Sequence, residues 1–233
     1  MNKAAVPVQV SAKKIVIAID GPAGSGKSTL ASLLAKKYNY VNIETGAMYR
    51  ALALKAMEAG ISLDDSESLG KLAGKSEIQL QPLPEGNRVL LDGMDVTERI
   101  RQQDVTDAAS RVSVHAPVRA WMVDHQRQMG LGGGVVMEGR DIGTKVFPDA
   151  EVKIFLDAAP ETRGSRRFLQ NQEPSSHAHA ISEELRRRDD RDRGRQHSPL
   201  EAAPDAVLID STHLSLDQVL EQAVQLIDQK MRR

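Results

Sequence analysis

The sequence predicts an α/β fold in which a parallel sheet carries helices on both faces. Short aliphatic runs of strand length alternate along the chain with longer segments whose apolar residues recur at helical spacing. The first run, "KIVIAID", leads at once into a glycine-rich turn and a helical segment, which is half of a βαβ unit. Strands that alternate with helices in this order are typical of a parallel sheet covered on both sides.

The first half of the chain continues this alternation and then interrupts it. After the helix over "KSTLASLLAKKY" we expect a short strand at residues 40–43 and a helix from about residue 46 to residue 59. Between about residues 72 and 100, apolar and polar residues alternate around Pro-Glu-Gly-Asn and Asp-Gly turn signals, which indicates a small β-rich insertion. Helical spacing returns from residue 104 to about residue 129.

The second half supplies three more strands, in "GGGVVMEGRD", "EVKIFLDA" and "DAVLIDS", and a final amphipathic helix over "SLDQVLEQAVQLIDQKM". Residues 160–194 indicate two helices joined by the polar loop "NQEPSSHAHA", a composition typical of a lid, and we assign the lid region to residues 160–198. One domain is therefore expected over residues 15–233, after a flexible tail at residues 1–14.

Composition narrows the class of protein. A chain of 233 residues, 40% of them hydrophobic, is long enough for one α/β domain or a domain with a small insertion. The formal net charge of −1 argues against a nucleic-acid partner. The absence of cysteine excludes disulfides and thiolate chemistry and favours a cytoplasmic protein. No apolar run approaches the ~20 residues needed to cross a bilayer, and nothing demands more than a monomer.

The stretch "GPAGSGKS" satisfies G-x-x-x-x-G-K-[ST] between a strand and a helix, where a phosphate-binding loop requires it. Backbone N–H groups and the N-terminus of the next helix then face the phosphates of ATP. Lys27 is expected to bridge the β- and γ-phosphates and Ser28 to offer its hydroxyl to Mg²⁺, while Asp20 either assists the metal or attacking group or caps the turn. The predicted ATP-binding residues are Gly21, Pro22, Ala23, Gly24, Ser25, Gly26, Lys27, Ser28 and Thr29.

A loop of this kind occurs in hydrolases, switches and transferases, and the rest of the sequence favours transfer. Neither the N-K-x-D element of guanine switches nor the L-S-G-G-Q element of transport ATPases is present. Arginine, with its fork of donors, can neutralise the two anionic groups that phosphoryl transfer brings together. Arginines occur as Arg50 in "ETGAMYR", as Arg140 in "MEGRDIGT" and as six residues within 186–195. A kinase for another small acceptor and a nucleotide-dependent switch are the alternatives.

These motifs, in this order, resemble the bacterial cytidylate kinases. The resemblance depends on "IDGPAGSGKST", "ETGAMYRALAL", "VLLDGMDVTERIR", "EGRDIGTKVFPDA", "KIFLDA", "RDDRDR" and "LIDST", which span nearly the whole chain. It implies a three-layer P-loop kinase fold with a central parallel sheet, a monophosphate-binding insertion at residues 72–100 and a helical lid. The implied reaction is transfer of the γ-phosphate of ATP to CMP or dCMP with Mg²⁺, UMP being a poorer acceptor.

The resemblance also implies roles for individual residues, carried over by position. The family holds the acceptor and its phosphate at the positions of Thr45, Tyr49, Arg50 and Arg140. It reads cytosine at the positions of Ser110, Arg119 and Asp141. It binds the acceptor's sugar and phosphates from the lid at the positions of Arg188, Asp192 and Arg195. The residues expected to stabilise charge during transfer are Lys27, Arg140, Arg188 and Arg195.

The residue types fit base recognition. Cytosine presents a ring nitrogen and a carbonyl that accept and an amino group that donates, so an arginine and a carboxylate can read it together. Uracil reverses the pattern at one edge and would leave a carboxylate facing a carbonyl, at a cost of about 1–3 kcal/mol. Two positions depart from the family's pattern, because Glu44 and Glu138 stand where it often has aspartate and each reaches one methylene further.

Overall fold

The structure, a computed structural model, describes residues 14–83, 86–171 and 178–232. The predicted flexible tail therefore lies outside the described residues, apart from Lys14. Most of the predicted polar loop between the two lid helices, residues 172–177, also lies outside them.

Five strands form a parallel sheet in the order β2-β6-β1-β7-β8, and three form a small antiparallel sheet in the order β3-β4-β5. The predicted α/β fold with a central parallel sheet is thus confirmed. The strands are β1 Val16–Asp20, β2 Val41–Glu44, β3 Ile78–Pro82, β4 Asn87–Leu91, β5 Met94–Asp95, β6 Val135–Gly139, β7 Val152–Asp157 and β8 Val207–Asp210.

Helices fill the connections between the strands. They are α1 Lys27–Tyr38, α2 Thr45–Glu58, α3 Ser66–Ala73, α4 Gln103–Val112, α5 Ala116–Gly130, α6 Pro160–Asn171, α7 Ala178–Gly194 and α8 Leu216–Met231. Two shorter turns complete the described part of the chain, a 3₁₀ turn at Arg99–Arg101 and a π-helical turn at Ile142–Val146. Measured over the described residues, no helix is both long and apolar enough to span a membrane.

Strand β1 shows how the sequence covers both faces of the sheet. All five of its residues are buried, as expected for a central parallel strand. Ile17 and Ile19 pack with apolar residues of α1 and α8, whereas Val16 and Ala18 pack with those of the π-helical turn. Side chains alternate between the faces of a strand, so a continuous aliphatic run is what two covered faces require.

Helices α2 to α5 enclose a second core, and the sequence predicted only some of these helices. The stretch with helical spacing from residue 104 to about residue 129 forms two helices, α4 and α5. Pro117 lies in the first turn of α5, where its missing N–H is not needed and a new helix can begin. Helix α3 was not predicted; its cap is Asp65, which accepts from the Ser68 N–H at 3.0 Å, and Leu69 is fully buried.

The small sheet lies within the predicted β-rich stretch and is joined to β2. Asp92 and Gly93 have φ of 50° and 83°, the positive values that a two-residue hairpin turn needs. The Asn87 amide Nδ2 donates to the Asn42 carbonyl at 2.9 Å, and its Oδ1 accepts from the Glu44 N–H at 3.1 Å. One asparagine therefore fixes the small sheet against an edge of the central sheet.

The second core supplies a test of the unpredicted helix. Leu69→Ala should lower the free energy of unfolding by about 2–5 kcal/mol, because it leaves a cavity among the buried residues of α2 and α5. Leu131→Ala is the matched control, since Leu131 is 70% exposed, and it should change stability by no more than about 0.5 kcal/mol. Denaturant unfolding of both variants measures the difference, and equal effects would contradict the packing of α3.

Candidate active site

A cavity of about 650 Å³ opens where the carboxyl ends of three parallel strands meet helix α7. Its walls are the glycine-rich loop after β1, the start of α2, helix α4, the end of β6 and helix α7. In open α/β sheets, ligands collect at the carboxyl ends of the strands. Every acceptor-binding residue predicted from the sequence lines this cavity, namely Thr45, Tyr49, Arg50, Ser110, Arg119, Arg140, Asp141, Arg188, Asp192 and Arg195.

The glycine-rich loop divides into residues that face this cavity and residues that hold the loop. Those facing it are Ala23, Gly24, Gly26, Lys27, Ser28 and Thr29, whereas Gly21, Pro22 and Ser25 do not line it. At Gly21 a Cβ would lie 2.0 Å from the Leu156 carbonyl oxygen, so only glycine permits this close approach of β1 and β7. Ser25 Oγ donates to the Pro22 carbonyl at 3.1 Å, which braces the turn.

Lys27 is buried and turned back onto its own loop. Its Nζ donates to the Pro22 carbonyl at 2.6 Å. Burial lowers the pKa of Lys27 to about 7, and the nearby charge of Arg140 acts in the same direction. An ammonium that is destabilised by burial and by neighbouring cations gains most from an anionic partner, so the environment of Lys27 favours an anion such as a phosphate.

Ser28 and two carboxylates form the part of the site that suits a metal ion. Ser28 Oγ donates to Glu138 Oε1 at 2.8 Å. Burial raises the pKa of Glu138, with Lys27 opposing and Glu44 adding to the shift, because Glu44 and Glu138 are direct neighbours across β2 and β6. Hydroxyl and carboxylate oxygens are ligands that Mg²⁺ accepts. The described residues hold no group of three or more acidic or histidine side chains able to bind a metal unaided, so substrate oxygens would have to complete its coordination.

The start of α2 contributes three side chains. Thr45 Oγ1 donates to the Glu138 carbonyl at 2.8 Å, which joins α2 to β6. Arg50 forms an ion pair with Glu44; burial opposes ionisation of Glu44, but this pair holds its pKa below the usual value. Tyr49 is half-buried with its hydroxyl shielded from water; this loss of solvation raises its pKa to about 12, and its ring lies 5.6 Å from Arg119 Cζ.

Arg119 and Asp141 form a buried ion pair at the back of the cavity. Their side chains are 5% and 7% exposed, and Arg119 Nη1 also donates to the Ser113 carbonyl at 3.2 Å. Ser110 lies on the neighbouring helix α4, and its Oγ accepts from Arg191 Nη1 of α7 at 2.5 Å. The pair thus offers donors and acceptors side by side in a site sheltered from water.

Helix α7 brings a cluster of cations to the opposite wall. Asp192 Oδ2 accepts from Arg140 Nε at 2.9 Å, and its Oδ1 lies 3.7 Å from Arg195 Nη1. Arg188 lies one turn earlier on the helix, and burial together with Arg140 lowers its pKa to about 10. One carboxylate therefore stands among three arginines, an arrangement that favours the arrival of further negative charge.

Several buried polar atoms in this cavity have no hydrogen-bond partner among the described residues. They are Tyr49 OH, Arg50 Nε, Arg119 Nε and Arg195 Nη2. A buried polar group without a partner costs about 1–3 kcal/mol. Four such atoms converging on one cavity indicate that a polar, anionic ligand supplies the missing partners.

Sequence reasoning gave no site role to four arginines that reach this site. Arg101, Arg166 and Arg167 line the cavity, and Arg191 contacts Ser110. Arg191 follows Arg188 by three residues on a helix, a spacing that puts both on one face and that the sequence displayed. Arg101 had no comparable signal in the sequence. Its position at the cavity depends on how the chain returns from the small sheet to α4.

The fold and the cavity together define a P-loop phosphotransferase. The family model described as cytidylate kinase matches residues 17–229. The chain belongs to the cytidylate kinase family.

Curated relatives agree over most of the chain. It is 51% identical over 219 residues to a cytidylate kinase of Enterococcus faecalis, covering 93% of this chain and 97% of the relative. It is 47% identical over 222 residues to a cytidylate kinase of Bacillus velezensis, covering 94% and 99%. A cytidylate kinase of Citrifermentans bemidjiense is 49% identical over 210 residues, covering 89% and 90%.

The buried ion pair can be tested by its stability. Arg119→Met should lower the free energy of unfolding by about 3–5 kcal/mol, because it leaves the Asp141 carboxylate buried without its partner. Arg99→Met breaks the exposed Arg99–Asp104 pair and should change stability little, since water screens such pairs. Urea unfolding compares the two, and a similar small effect of both would mean that Asp141 has another partner.

Proposed function

We propose that this protein transfers the γ-phosphate of ATP to CMP and dCMP, forming ADP and CDP or dCDP. One observation carries the proposal. The phosphate-binding Lys27 and the buried pair of Arg119 and Asp141 line the same cavity. The triphosphate of ATP bound at Lys27 therefore faces a polar pocket that can hold the base of a second nucleotide. The names of the relatives support the choice of cytidine nucleotides.

The donor binds along the glycine-rich loop. Lys27 exchanges the Pro22 carbonyl for the β- and γ-phosphates, and the start of α1 contributes its N–H groups. A second cavity, of about 270 Å³, lies on the outer side of the loop and suits the adenine ring, because its walls are largely apolar. Its lining includes Leu156, Arg166, Leu214, Leu216 and Val219.

The acceptor binds across the cavity from the donor. Arg50, Arg101 and Arg140 surround the position of its phosphate, and their guanidinium groups supply donors in a planar fork. Asp141 accepts from the amino group of cytosine, while Arg119 donates to the ring. UMP is the poorer acceptor, because its carbonyl faces the Asp141 carboxylate at the position where cytosine has the amino group.

Transfer is a direct in-line displacement. A phosphate oxygen of CMP forms a bond to the γ-phosphorus as the bond from that phosphorus to the β–γ bridging oxygen breaks, and ADP leaves with that oxygen. The acceptor phosphate is already ionised near neutral pH, so no general base is needed. Lys27, Arg140, Arg188 and Arg195 stabilise the charge spread over the moving group.

Mg²⁺ fits beside Ser28, with Glu138 and Glu44 as the neighbouring carboxylates. The ion would neutralise charge on the phosphates of ATP. Ser28 and Glu138 orient each other through their hydrogen bond, so the chain itself holds these oxygens in place. We further propose that the protein acts as a monomer in the cytoplasm, on free nucleotides and without nucleic-acid partners.

The test is acceptor-dependent formation of ADP with ATP and Mg²⁺. CMP, dCMP, UMP, AMP, GMP and no acceptor are compared at equal concentration. CMP and dCMP should turn over fast, UMP more slowly, and the sample without acceptor negligibly. Equal slow formation of ADP in every sample would leave a nucleotide-binding loop but refute the transfer reaction.

Lys27→Ala tests the donor loop. It should lower kcat by at least about a hundredfold, because the side chain stabilises charge that develops in the transition state. Lys36→Ala, an exposed position on the same helix, should leave kcat unchanged and serves as the control. Circular dichroism verifies that both variants fold, and near-normal turnover of Lys27→Ala would contradict the assignment of the loop.

A further inference from the structure

Asp20 is a buried carboxylate whose two hydrogen-bond donors lie outside the glycine-rich loop that it precedes. It ends strand β1 and is 4% exposed. Its Oδ1 accepts from the Ile142 N–H at 2.8 Å, and its Oδ2 accepts from the Gly143 N–H at 2.7 Å. Both oxygens are thus engaged by consecutive backbone groups of a segment more than a hundred residues away in sequence.

Those two N–H groups open the π-helical turn Ile142–Val146. The first N–H groups of any helical turn have no partner within it, so Asp20 supplies that partner from another strand. The Asp141 carbonyl accepts from the N–H groups of Lys145 at 2.9 Å and Val146 at 3.2 Å. Asp141 and the turn are therefore one hydrogen-bonded unit, and the carboxylate of Asp20 fixes its start.

Burial of Asp20 is costly, which argues that the contact has a purpose. Burial raises the pKa of Asp20 to about 7, and its hydrogen bonds to Gly143 and Ile142 act in the opposite direction. Gly143 lets the two segments approach closely, because a Cβ there would lie 3.2 Å from Lys153 Cδ and 3.4 Å from Asp20 Oδ2.

We infer that Asp20 is a positioning residue for recognition of the acceptor base. By holding the Ile142–Val146 turn, it sets where the Asp141 carboxylate meets Arg119, and it does so from the position directly before the donor loop. The inference depends on the proposed function, since Asp141 reads cytosine only if CMP is the acceptor.

Asp20→Asn tests the contact without changing the size of the side chain. An amide keeps one accepting oxygen but turns an NH₂ group toward a backbone N–H, so one hydrogen bond is lost and two donors face each other. KM for CMP should rise roughly tenfold, and the ratio of kcat/KM for CMP to that for UMP should fall by a similar factor. KM for ATP should stay within about twofold of wild type.

Gly143→Ala approaches the same contact from the other side. The added methyl group would lie 3.2 Å from Lys153 Cδ and 3.4 Å from Asp20 Oδ2, so it shifts this contact by a few tenths of an ångström and leaves the carboxylate in place. It should lower the ratio of kcat/KM for CMP to that for UMP in the same direction as Asp20→Asn but by less, and it keeps the test usable if Asp20→Asn does not fold. Asp210→Asn is the matched control, because Asp210 also ends a parallel strand and accepts a backbone N–H, from Thr212 at 2.9 Å, but this N–H belongs to its own loop and not to the turn that follows Asp141. This control should leave kcat/KM for CMP and for UMP unchanged.

The outcomes separate the possible roles of Asp20. A fall in the CMP to UMP ratio in both variants, with KM for ATP retained, supports the inference. An unchanged ratio with equal losses for CMP and UMP would make Asp20 merely structural and overturn it. A larger rise in KM for ATP than for CMP would overturn it in favour of a donor-loop role. If wild-type enzyme shows no preference for CMP, the proposed function itself fails, and the inference fails with it.

Discussion

The parallel pairing of β1 with β6 is the constraint on which the active site depends. Asp20 lies opposite Gly139, and Ile19 lies opposite Glu138. The glycine-rich loop starts directly after Asp20 on β1, and Arg140 directly follows Gly139 on β6. A slip in this register would separate the phosphate-binding loop from the residues that face it. The aliphatic residues that specify the register, far from any substrate, therefore decide whether the chemistry is possible.

The charged groups of the cavity are kept in internal pairs that a substrate must replace. Lys27 donates to a carbonyl of its own loop, Arg50 pairs with Glu44, and Arg140 pairs with Asp192. Each pair lowers the cost of burying a charge, and the cation of each pair carries the donors that a phosphate would accept from. The unpartnered atoms of Tyr49 and Arg119 have no such substitute. For the proposed reaction, this predicts an exchange of partners at the phosphates and a net gain of partners around the base.

The fold could be predicted from the sequence because its signals are local. Each main element is indicated by a pattern within a few residues: the five aliphatic runs, the glycine turn and the final helix. The cap of that helix is a reciprocal capping box of Ser215 and Gln218. The short helix α3 had only one cap and two buried residues to reveal it. The break at Pro117 lies inside a helical pattern, where a proline that starts a helix and one that interrupts a helix look alike.

Parts of the candidate site with a local sequence signal could be predicted, and parts without one could not. The glycine-rich loop is contiguous, so its spacing carries its function. Ser110 and Arg119 lie on α4 and α5 and have no local signal, and only the resemblance to a family pointed to them. The approach of Arg191 to Ser110 and of Asp20 to the turn at Ile142 spans more than eighty residues in each case. Such contacts depend on the packing of whole elements, which residue spacing along the chain does not encode.

Helices α6 and α7 are joined to the donor loop through its outward-facing carbonyl groups. A loop that turns its N–H groups toward phosphate must direct carbonyls elsewhere, and buried carbonyls need donors. Arg163 and Arg166 of α6 donate to the carbonyls of Ala23 and Ser25 at 3.1 and 3.3 Å, and Arg163 also pairs with Asp189 of α7 at 2.5 Å. Helix α7, which carries Arg188 and is followed directly by Arg195, is therefore tied to the loop that leads into Lys27. Because Arg163 bonds both to the loop and to α7, the loop, α6 and α7 form one connected unit on this side of the cavity.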